Sequence, residues 1–155
     1  MELDHTGREI TTQADAWRDA HNAVLAAAER LTALWERGGF DQIIAIGCGS
    51  TYYLATVAAN LFQGATGILA RAVPASELLL YPEMVYGRGR PLLVAISRSG
   101  ATTETIQAVQ AFKAKYRGDV IVISAYDDKP LNTLATLNLA AHEGQEISIA
   151  QTRSF

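Results

Sequence analysis

Between residues 17 and 37 the apolar positions recur at intervals of three and four residues. They are Trp17, Ala20, Val24, Ala27, Ala28, Leu31, Leu34 and Trp35. This spacing places all of them on one face of a helix, and the pair Gly38-Gly39 ends it. The sequence therefore predicts a long amino-terminal helix, with an apolar face available either to its own sheet or to another subunit.

Beyond residue 39 the pattern changes to short apolar runs, several of them followed by a helical segment. Five runs are predicted strands: 42–46, 68–73, 92–96, 120–123 and 137–141. Predicted helices at 51–62 and 102–116 follow the first and third of them. Strands that are apolar on both sides indicate a parallel sheet covered by helices on both faces. The predicted fold class is α/β: a three-layer α/β/α sandwich with a five-stranded parallel sheet of flavodoxin-like order, preceded by the long helix.

Composition and charge exclude several classes of protein. The chain has 155 residues, of which 19% are charged and 49% hydrophobic, so it has enough apolar residues for one core and is not a disordered tail. Its longest apolar runs, such as 92–96, are far shorter than the roughly 20 residues of a membrane span. The formal net charge is −3, without a basic stripe, which argues against nucleic acid as a partner.

The cysteine and histidine content argues against a metal centre. The single cysteine, Cys48, and the three histidines at 5, 21 and 142 have no ligand spacing for a metal ion, and no cofactor is expected. A thiol at a helix start can be a nucleophile, but no histidine lies beside Cys48, so its small size between two glycines is the simpler explanation. Residues 1–5 lack a signal-peptide pattern, and we expect the protein in the cytoplasm.

Two loops rich in small and hydroxyl side chains lie between a strand and a helix. The first reads Gly-Cys-Gly-Ser-Thr at 47–51, and the second Ser-Arg-Ser-Gly-Ala-Thr-Thr at 97–103. Such loops direct backbone N–H groups of a helix amino terminus at an anion. One such loop alone would more often be a helix cap, but the second offers more hydroxyls than one cap uses. In a flavodoxin-like order the two loops should face one pocket.

The loops do not have the residues of a nucleotide site. The dinucleotide fingerprint requires a third glycine where Tyr52 stands, and no acidic residue follows the second predicted strand. Neither loop contains the Gly-Lys-Ser/Thr of a phosphate-binding loop for nucleoside triphosphates. A phosphate without a nucleotide, as in a small phosphorylated metabolite, fits best.

Three segments resemble the sugar isomerase (SIS) domain family, and most closely the isomerase half of glucosamine-6-phosphate synthases. They are Gly-Cys-Gly-Ser-Thr-Tyr-Tyr at 47–53, Ile-Ser-Arg-Ser-Gly-Ala-Thr at 96–102 and Glu-Ile-Ser-Ile-Ala-Gln-Thr-Arg-Ser-Phe at 146–155. The resemblance implies that a sugar phosphate is held by Ser97, Ser99 and Thr102. It also implies that Arg98 contributes mainly its backbone, and that Ser50 and Thr51 line the other side.

The resemblance implies a domain organisation as well. We expect a helical segment at 1–38, an SIS phosphosugar-binding domain at 39–145, and at 146–155 the lead-in to a second, missing SIS domain. A surface terminus is the alternative for this last segment. Family members generally form homodimers, which we expect here.

For function, the resemblance implies binding of a hexose or hexosamine 6-phosphate and, in the complete protein, aldose–ketose isomerisation, deamination or deglycation. Glu2 stands where the synthases carry a glutaminase cysteine, so amination from glutamine is not expected of this chain alone. Glu146 is the catalytic acid–base candidate, the alternative being a solvated surface glutamate. A phosphosugar-binding module without turnover is the alternative function.

Overall fold

The computed structural model describes residues 4–154. Glu2 and Phe155, on which two of the expectations above rest, lie outside the described residues. Within the described part, five strands form one parallel sheet in the order β2-β1-β3-β4-β5. The strands are β1 (Gln42–Gly47), β2 (Leu69–Pro74), β3 (Pro91–Ile96), β4 (Val120–Ser124) and β5 (Leu137–Ala140). The predicted α/β class and the flavodoxin-like strand order are confirmed.

Alternate residues of the central strands face the two sides of the sheet and form two separate cores. Ile43 and Ala45 of β1 belong to one core, and Ile44 and Ile46 to the other. All six residues of β3 are buried, as expected for a strand covered on both faces. The sheet is thus the middle of three layers.

Helices cover both faces of the sheet. Helix α4 (Ser50–Thr66) packs Ala55 and Ala59 into the core formed with Ile43 and Ala45. On the opposite face lie α5 (Ala75–Leu80), α6 (Pro82–Val85) and α7 (Thr103–Tyr116), whose Phe112 is fully buried. In the described part of the chain, no helix combines the length and the apolar character that a membrane crossing requires.

The amino-terminal helix is present and is interrupted. It consists of α1 (His5–Thr11), α2 (Gln13–Ala26) and α3 (Ala28–Gly38), with a break at Ala27 and a left-handed Gly39 at its end. Helix α1 was not predicted, and its first turn is capped by Asp4, which accepts a hydrogen bond from Gly7 N at 2.7 Å. Leu34 and Ala27 are buried on the sheet, whereas Trp17 is 58% exposed.

The register of the sheet brings the two hydroxyl loops together at one edge. Ile46 of β1 pairs with Ala95 of β3 in parallel. The carboxyl ends of these neighbouring strands therefore lie side by side, and the loops 47–51 and 97–102 leave the sheet at adjacent positions.

Candidate functional site

The first loop is a tight turn built around Thr51. The Thr51 hydroxyl accepts a hydrogen bond from Cys48 N at 2.9 Å and donates one to Cys48 O at 3.0 Å. Glycine is required at position 47, where a Cβ atom would lie 2.4 Å from the Thr51 carbonyl carbon. Gly49 has φ +62°, a conformation that other residues rarely adopt. Thr51 therefore shapes the loop and uses its own hydroxyl to do so.

The second loop sets two hydroxyl groups against each other. Ser97 is 2% exposed, and its Oγ lies 3.3 Å from Oγ1 of Thr102. Thr102 occupies the N-cap position of α7 without making a side-chain cap hydrogen bond. Ser99 Oγ accepts a hydrogen bond from Ala101 N at 3.2 Å. The Ser97 and Thr102 hydroxyls are thus beside the amino end of a 14-residue helix and are not used to cap it.

The pKa of the Cys48 thiol in the first loop is influenced by a charge near the second loop. Burial raises the pKa of the Cys48 thiol, and the negative charge of Glu104, in the first turn of α7, raises that pKa further. A raised pKa keeps the sulfur protonated, which is the opposite of what a thiolate nucleophile requires. The size of Cys48 remains the better explanation of its presence between two glycines.

The carboxyl-terminal segment 145–154 returns to both loops. Ser50 Oγ donates a hydrogen bond to Gln151 Oε1 at 2.6 Å, and Arg98 Nη1 lies 3.4 Å from Glu146 Oε2. The segment is also tied to the amino-terminal helices, since Gln13 Nε2 donates to Thr152 O at 2.9 Å. This segment is therefore the third component of the candidate site.

Glu146 lies at the base of this segment with its side chain fully buried. The side-chain exposure is 0%, against 25% for its ion-pair partner Arg98. Its carboxylate accepts hydrogen bonds from Ser154 Oγ at 2.6 Å and from the backbone N–H of Arg153. Both carboxylate oxygens thus have partners inside the protein, and the surface-glutamate alternative does not describe this residue.

A second buried carboxylate, Glu9 of α1, holds the same segment. Glu9 is 4% exposed and accepts hydrogen bonds from Ile147 N at 2.7 Å and from the backbone and hydroxyl of Ser148. The Ser148 hydroxyl contributes most to holding the pKa of Glu9 below its ordinary value, against the opposing effect of burial, and the two backbone N–H groups act in the same direction. The charged form of Glu9 is therefore the one that fastens the segment.

Two cavities adjoin the predicted residues of the two loops, and a third, of about 310 Å³, is bordered by Glu146 and Glu9. An open cavity of about 660 Å³ is bordered by Ser50 and by residues of α1, α2 and the carboxyl-terminal segment: Ile10, Gln13, Ile149, Ala150, Gln151 and Thr152. A smaller one of about 140 Å³ is bordered by Thr51, Arg98 and Arg153 among mostly apolar side chains. Ser97, Ser99 and Thr102 border neither of the two cavities.

The structure thus groups the predicted residues into three contacts: Ser97 with Thr102, Arg98 with Glu146, and Ser50 with the carboxyl-terminal segment. Sequence reasoning did not single out Glu9, Gln13 or Gln151. Gln151 stands inside the third quoted motif, but nothing in the spacing indicates that it turns back to Ser50. Within residues 4–154, no three His, Cys, Asp or Glu side chains come together as a metal site would require.

A doubly wound α/β domain with two hydroxyl loops at adjacent strand ends is the class that this fold and site define. The SIS domain model matches residues 40–155, and the chain belongs to the SIS domain family. Among curated relatives, it is 30% identical over 148 residues to the isomerizing glutamine–fructose-6-phosphate aminotransferase of Pyrococcus horikoshii, covering 96% of this chain and 24% of that protein. The chain therefore spans about a quarter of the length of such relatives.

Solved structures show the same fold. The tagatose-6-phosphate ketose/aldose isomerase of Escherichia coli superposes with a TM-score of 0.85 at 22% identity, over 97% of this chain and 44% of that one. The C-terminal domain of the glucosamine-fructose-6-phosphate aminotransferase of Francisella tularensis gives a TM-score of 0.78 at 21% identity, over 99% and 44%. At sequence identities of 21–22%, these superpositions establish a shared fold and nothing further.

Proposed function

We propose that the chain binds a phosphorylated sugar, a hexose or hexosamine 6-phosphate, where the two hydroxyl loops meet. The observation that carries the proposal is the pair of hydroxyls, Ser97 and Thr102, 3.3 Å apart beside the amino end of α7 and unused as caps. A phosphate gains both hydroxyl donors and the N–H groups of the first helical turn in such a place. Membership in the SIS family and the phosphosugar enzymes among its relatives support the same ligand class.

Five of the predicted residues receive a role in this proposal. Ser97, Ser99 and Thr102 hold the phosphate. Ser50 contacts the sugar from the cavity of about 660 Å³, in which the Gln151 side chain is its neighbour. The Arg98 guanidinium is paired with Glu146, which agrees with a mainly backbone contribution to the ligand.

For the complete protein we propose aldose–ketose isomerisation, or deamination or deglycation, of the bound sugar phosphate. Isomerisation requires a base for the proton beside the carbonyl and an acid for its oxygen. Glu146 was the expectation from the sequence, but three donors already engage its buried carboxylate. We therefore assign Glu146 a positioning role, fixing Arg98 and the carboxyl-terminal segment, and the proton transfers fall to another group.

Binding without turnover is the second candidate function for this chain. It is favoured by the chemistry of the cavity of about 660 Å³: among the described residues that border it there is no Asp, Glu, His or Lys. A site of this kind can recognise a polar ligand but offers no side chain for acid–base catalysis. A homodimer is also part of the proposal, and the exposed apolar side chains of α2 and α4 agree with it.

Thermal unfolding with a ligand panel tests the binding proposal. A hexose 6-phosphate at a hundred times its Kd should stabilise the chain by about 2.7 kcal/mol, or about 5–10 °C in Tm for a domain of this size. The unphosphorylated hexose should give no shift. The double variant Ser97→Ala/Ser99→Ala should lose the shift, and Thr32→Ala, an exposed threonine of α3, should keep it. An intact shift in the double variant would show that the anchor lies elsewhere.

A further inference from the structure

A buried asparagine, Asn132, lies in the connection between β4 and β5. It is 8% exposed and begins a single 3-10 turn. Its Nδ2 donates hydrogen bonds to Ser124 Oγ at 2.9 Å, to Tyr126 O at 2.8 Å and to Asn138 Oδ1 at 2.7 Å. Its Oδ1 accepts a hydrogen bond from Lys129 N at 3.2 Å. Both ends of the amide are therefore engaged inside the protein.

These hydrogen bonds fold the connection around one side chain. Ser124 is the last residue of β4 and Asn138 lies in β5, so the Asn132 amide joins the two strands. The same amide holds the backbone at two positions of the segment that leaves β4. We name residues 125–131 the β4 loop. Its conformation depends on the donors and the acceptor of Asn132.

The β4 loop in turn holds the second hydroxyl loop. Ala125 N donates a hydrogen bond to Arg98 O at 3.0 Å, and Leu131 N donates one to Gly100 O at 3.0 Å. A Cβ atom at Gly100 would lie 2.9 Å from Asn132 Oδ1, so the Asn132 amide lies directly against this glycine. The backbone of the second hydroxyl loop is therefore fastened at two carbonyl groups to a loop whose conformation Asn132 fixes.

We propose that Asn132 is a positioning residue for the phosphate anchor. Asn132 holds the β4 loop, and the β4 loop holds the backbone beside Ser97 and Thr102, whose hydroxyls carry the proposed function. These hydroxyls and the N–H groups of the first turn of α7 are then in place before a ligand arrives. A preorganised site loses less conformational freedom on binding, which raises its affinity. The inference rests on the proposed function, because it concerns the same site.

The Asn132 amide also contributes to the stability of the fold, because removing it leaves its buried partners without their hydrogen bonds. A lower Tm in an Asn132 variant is therefore expected under either role. Only the positioning role predicts a loss of phosphate affinity at a temperature at which the variant is fully folded. The test must therefore include a variant that is destabilised at a distance from the loops.

Three variants of the whole chain test the positioning role. Asn132→Leu keeps the side chain close to its size and removes the donors and the acceptor. Asn138→Ala is a milder change, since it removes one of the three acceptors of the Asn132 amide. Leu34→Ala is the control, because Leu34 of α3 is 3% exposed and belongs to the core on the α4 side of the sheet. Its truncation leaves a cavity there and destabilises the fold.

Dissociation constants for inorganic phosphate and for glucose 6-phosphate would be measured by calorimetric titration, at a temperature at which circular dichroism shows every variant to be folded. Asn132→Leu should weaken the binding of both ligands about tenfold. The factor should be the same for both, because the change is confined to the anchor of the phosphate. Asn138→Ala should weaken both about threefold, and Leu34→Ala should stay within about twofold of the wild type.

Backbone dynamics provide a second measurement that a loss of stability alone does not alter. In ¹⁵N relaxation dispersion of the ligand-free chain, the amides of 97–102 should show exchange on the microsecond-to-millisecond timescale in Asn132→Leu and not in Leu34→Ala.

Unchanged affinity in both asparagine variants, or an equal loss in Leu34→Ala, would overturn the positioning role and leave the phosphosugar site in place. If Asn132→Leu does not fold, Asn138→Ala decides between these outcomes. A wild type that binds neither ligand would refute the proposed function, and the positioning role with it.

Discussion

Replacing Glu146 by alanine removes the acceptor on which the carboxyl-terminal segment converges. The Glu146 side chain is 0% exposed and accepts from Ser154 Oγ at 2.6 Å, from Arg153 N, and from Arg98 at 3.4 Å. A hydrogen bond to a charged group contributes about 1.5–3 kcal/mol, and breaking a buried ion pair by deleting one partner costs about 3–5 kcal/mol. Because Arg98 is partly solvated and its contact is long, most of the loss comes from the other two hydrogen bonds.

From the loss of these two hydrogen bonds to a charged group, we expect Glu146→Ala to lower the free energy of unfolding by about 3–5 kcal/mol, or Tm by about 10 °C. Thermal and urea unfolding followed by circular dichroism measure this. Glu143→Ala, an exposed glutamate three residues earlier, is the control and should stay within about 0.5 kcal/mol of the wild type. If Glu146→Ala is as stable as that control, the positioning role is refuted. Glu146→Gln with unchanged stability but lost turnover in a complete protein would restore the acid–base interpretation.

Three further predictions concern the loops and the segment that joins them. Gly100 has φ +61° and a Cβ there would lie 2.8 Å from Lys129 Cβ, so Gly100→Ala should destabilise the chain by about 1–3 kcal/mol and weaken the phosphosugar shift. Gly64→Ala, in open space within α4, should instead stabilise it by about 0.5–1 kcal/mol, which urea unfolding of both variants would show. The lowered pKa of Glu9 stabilises the fold fully above its ordinary value of 4.5, and this contribution is lost as pH falls through the folded value. Between pH 6 and 3, in Tm measurements, wild type should thus lose more stability than Glu9→Gln, and parallel profiles would contradict this. Because burial raises the pKa of Cys48, its alkylation by iodoacetamide at pH 8 should be slower than that of glutathione, and an equal or faster rate would contradict the assignment.

The central strands could be predicted because they are buried on both faces. The apolar runs at 42–46 and 92–96 correspond to β1 (Gln42–Gly47) and β3 (Pro91–Ile96), with no exposed residue in either strand. Because helices cover both faces of such a strand, its residues are apolar at every position. The α/β class and the strand order followed from the alternation of such runs with helices.

Short helices could not be predicted in the same way. Helix α1 has seven residues, and α5 and α6 have six and four. Fewer than two turns hold too few positions for a three-and-four repeat to stand out. The break at Ala27 was missed for a related reason, because the apolar spacing continues through it.

The residue types of the candidate site could be identified from the sequence, but the contacts that these residues make could not. Both Ser97 and Thr51 were expected to face a ligand, yet Thr51 is engaged with Cys48 inside its own loop. The contacts of Ser50 with Gln151 and of Glu9 with Ile147 join positions 101 and 138 residues apart. No local sequence pattern indicates contacts between residues so far apart in the chain. The contacts of residues 145–154 with the loops and with α1 could therefore be found only in the tertiary structure.

Amide chemical shifts followed during a titration test the phosphosugar site most directly. Uniformly ¹⁵N-labelled chain would be titrated with a hexose 6-phosphate, with the unphosphorylated hexose as the control. The largest shifts should fall on the amides of 97–103 at the start of α7, followed by those of 47–51, and the control should leave them in place. Saturable shifts confined to other parts of the chain, or none at all, would contradict the assignment of these loops as the phosphate anchor.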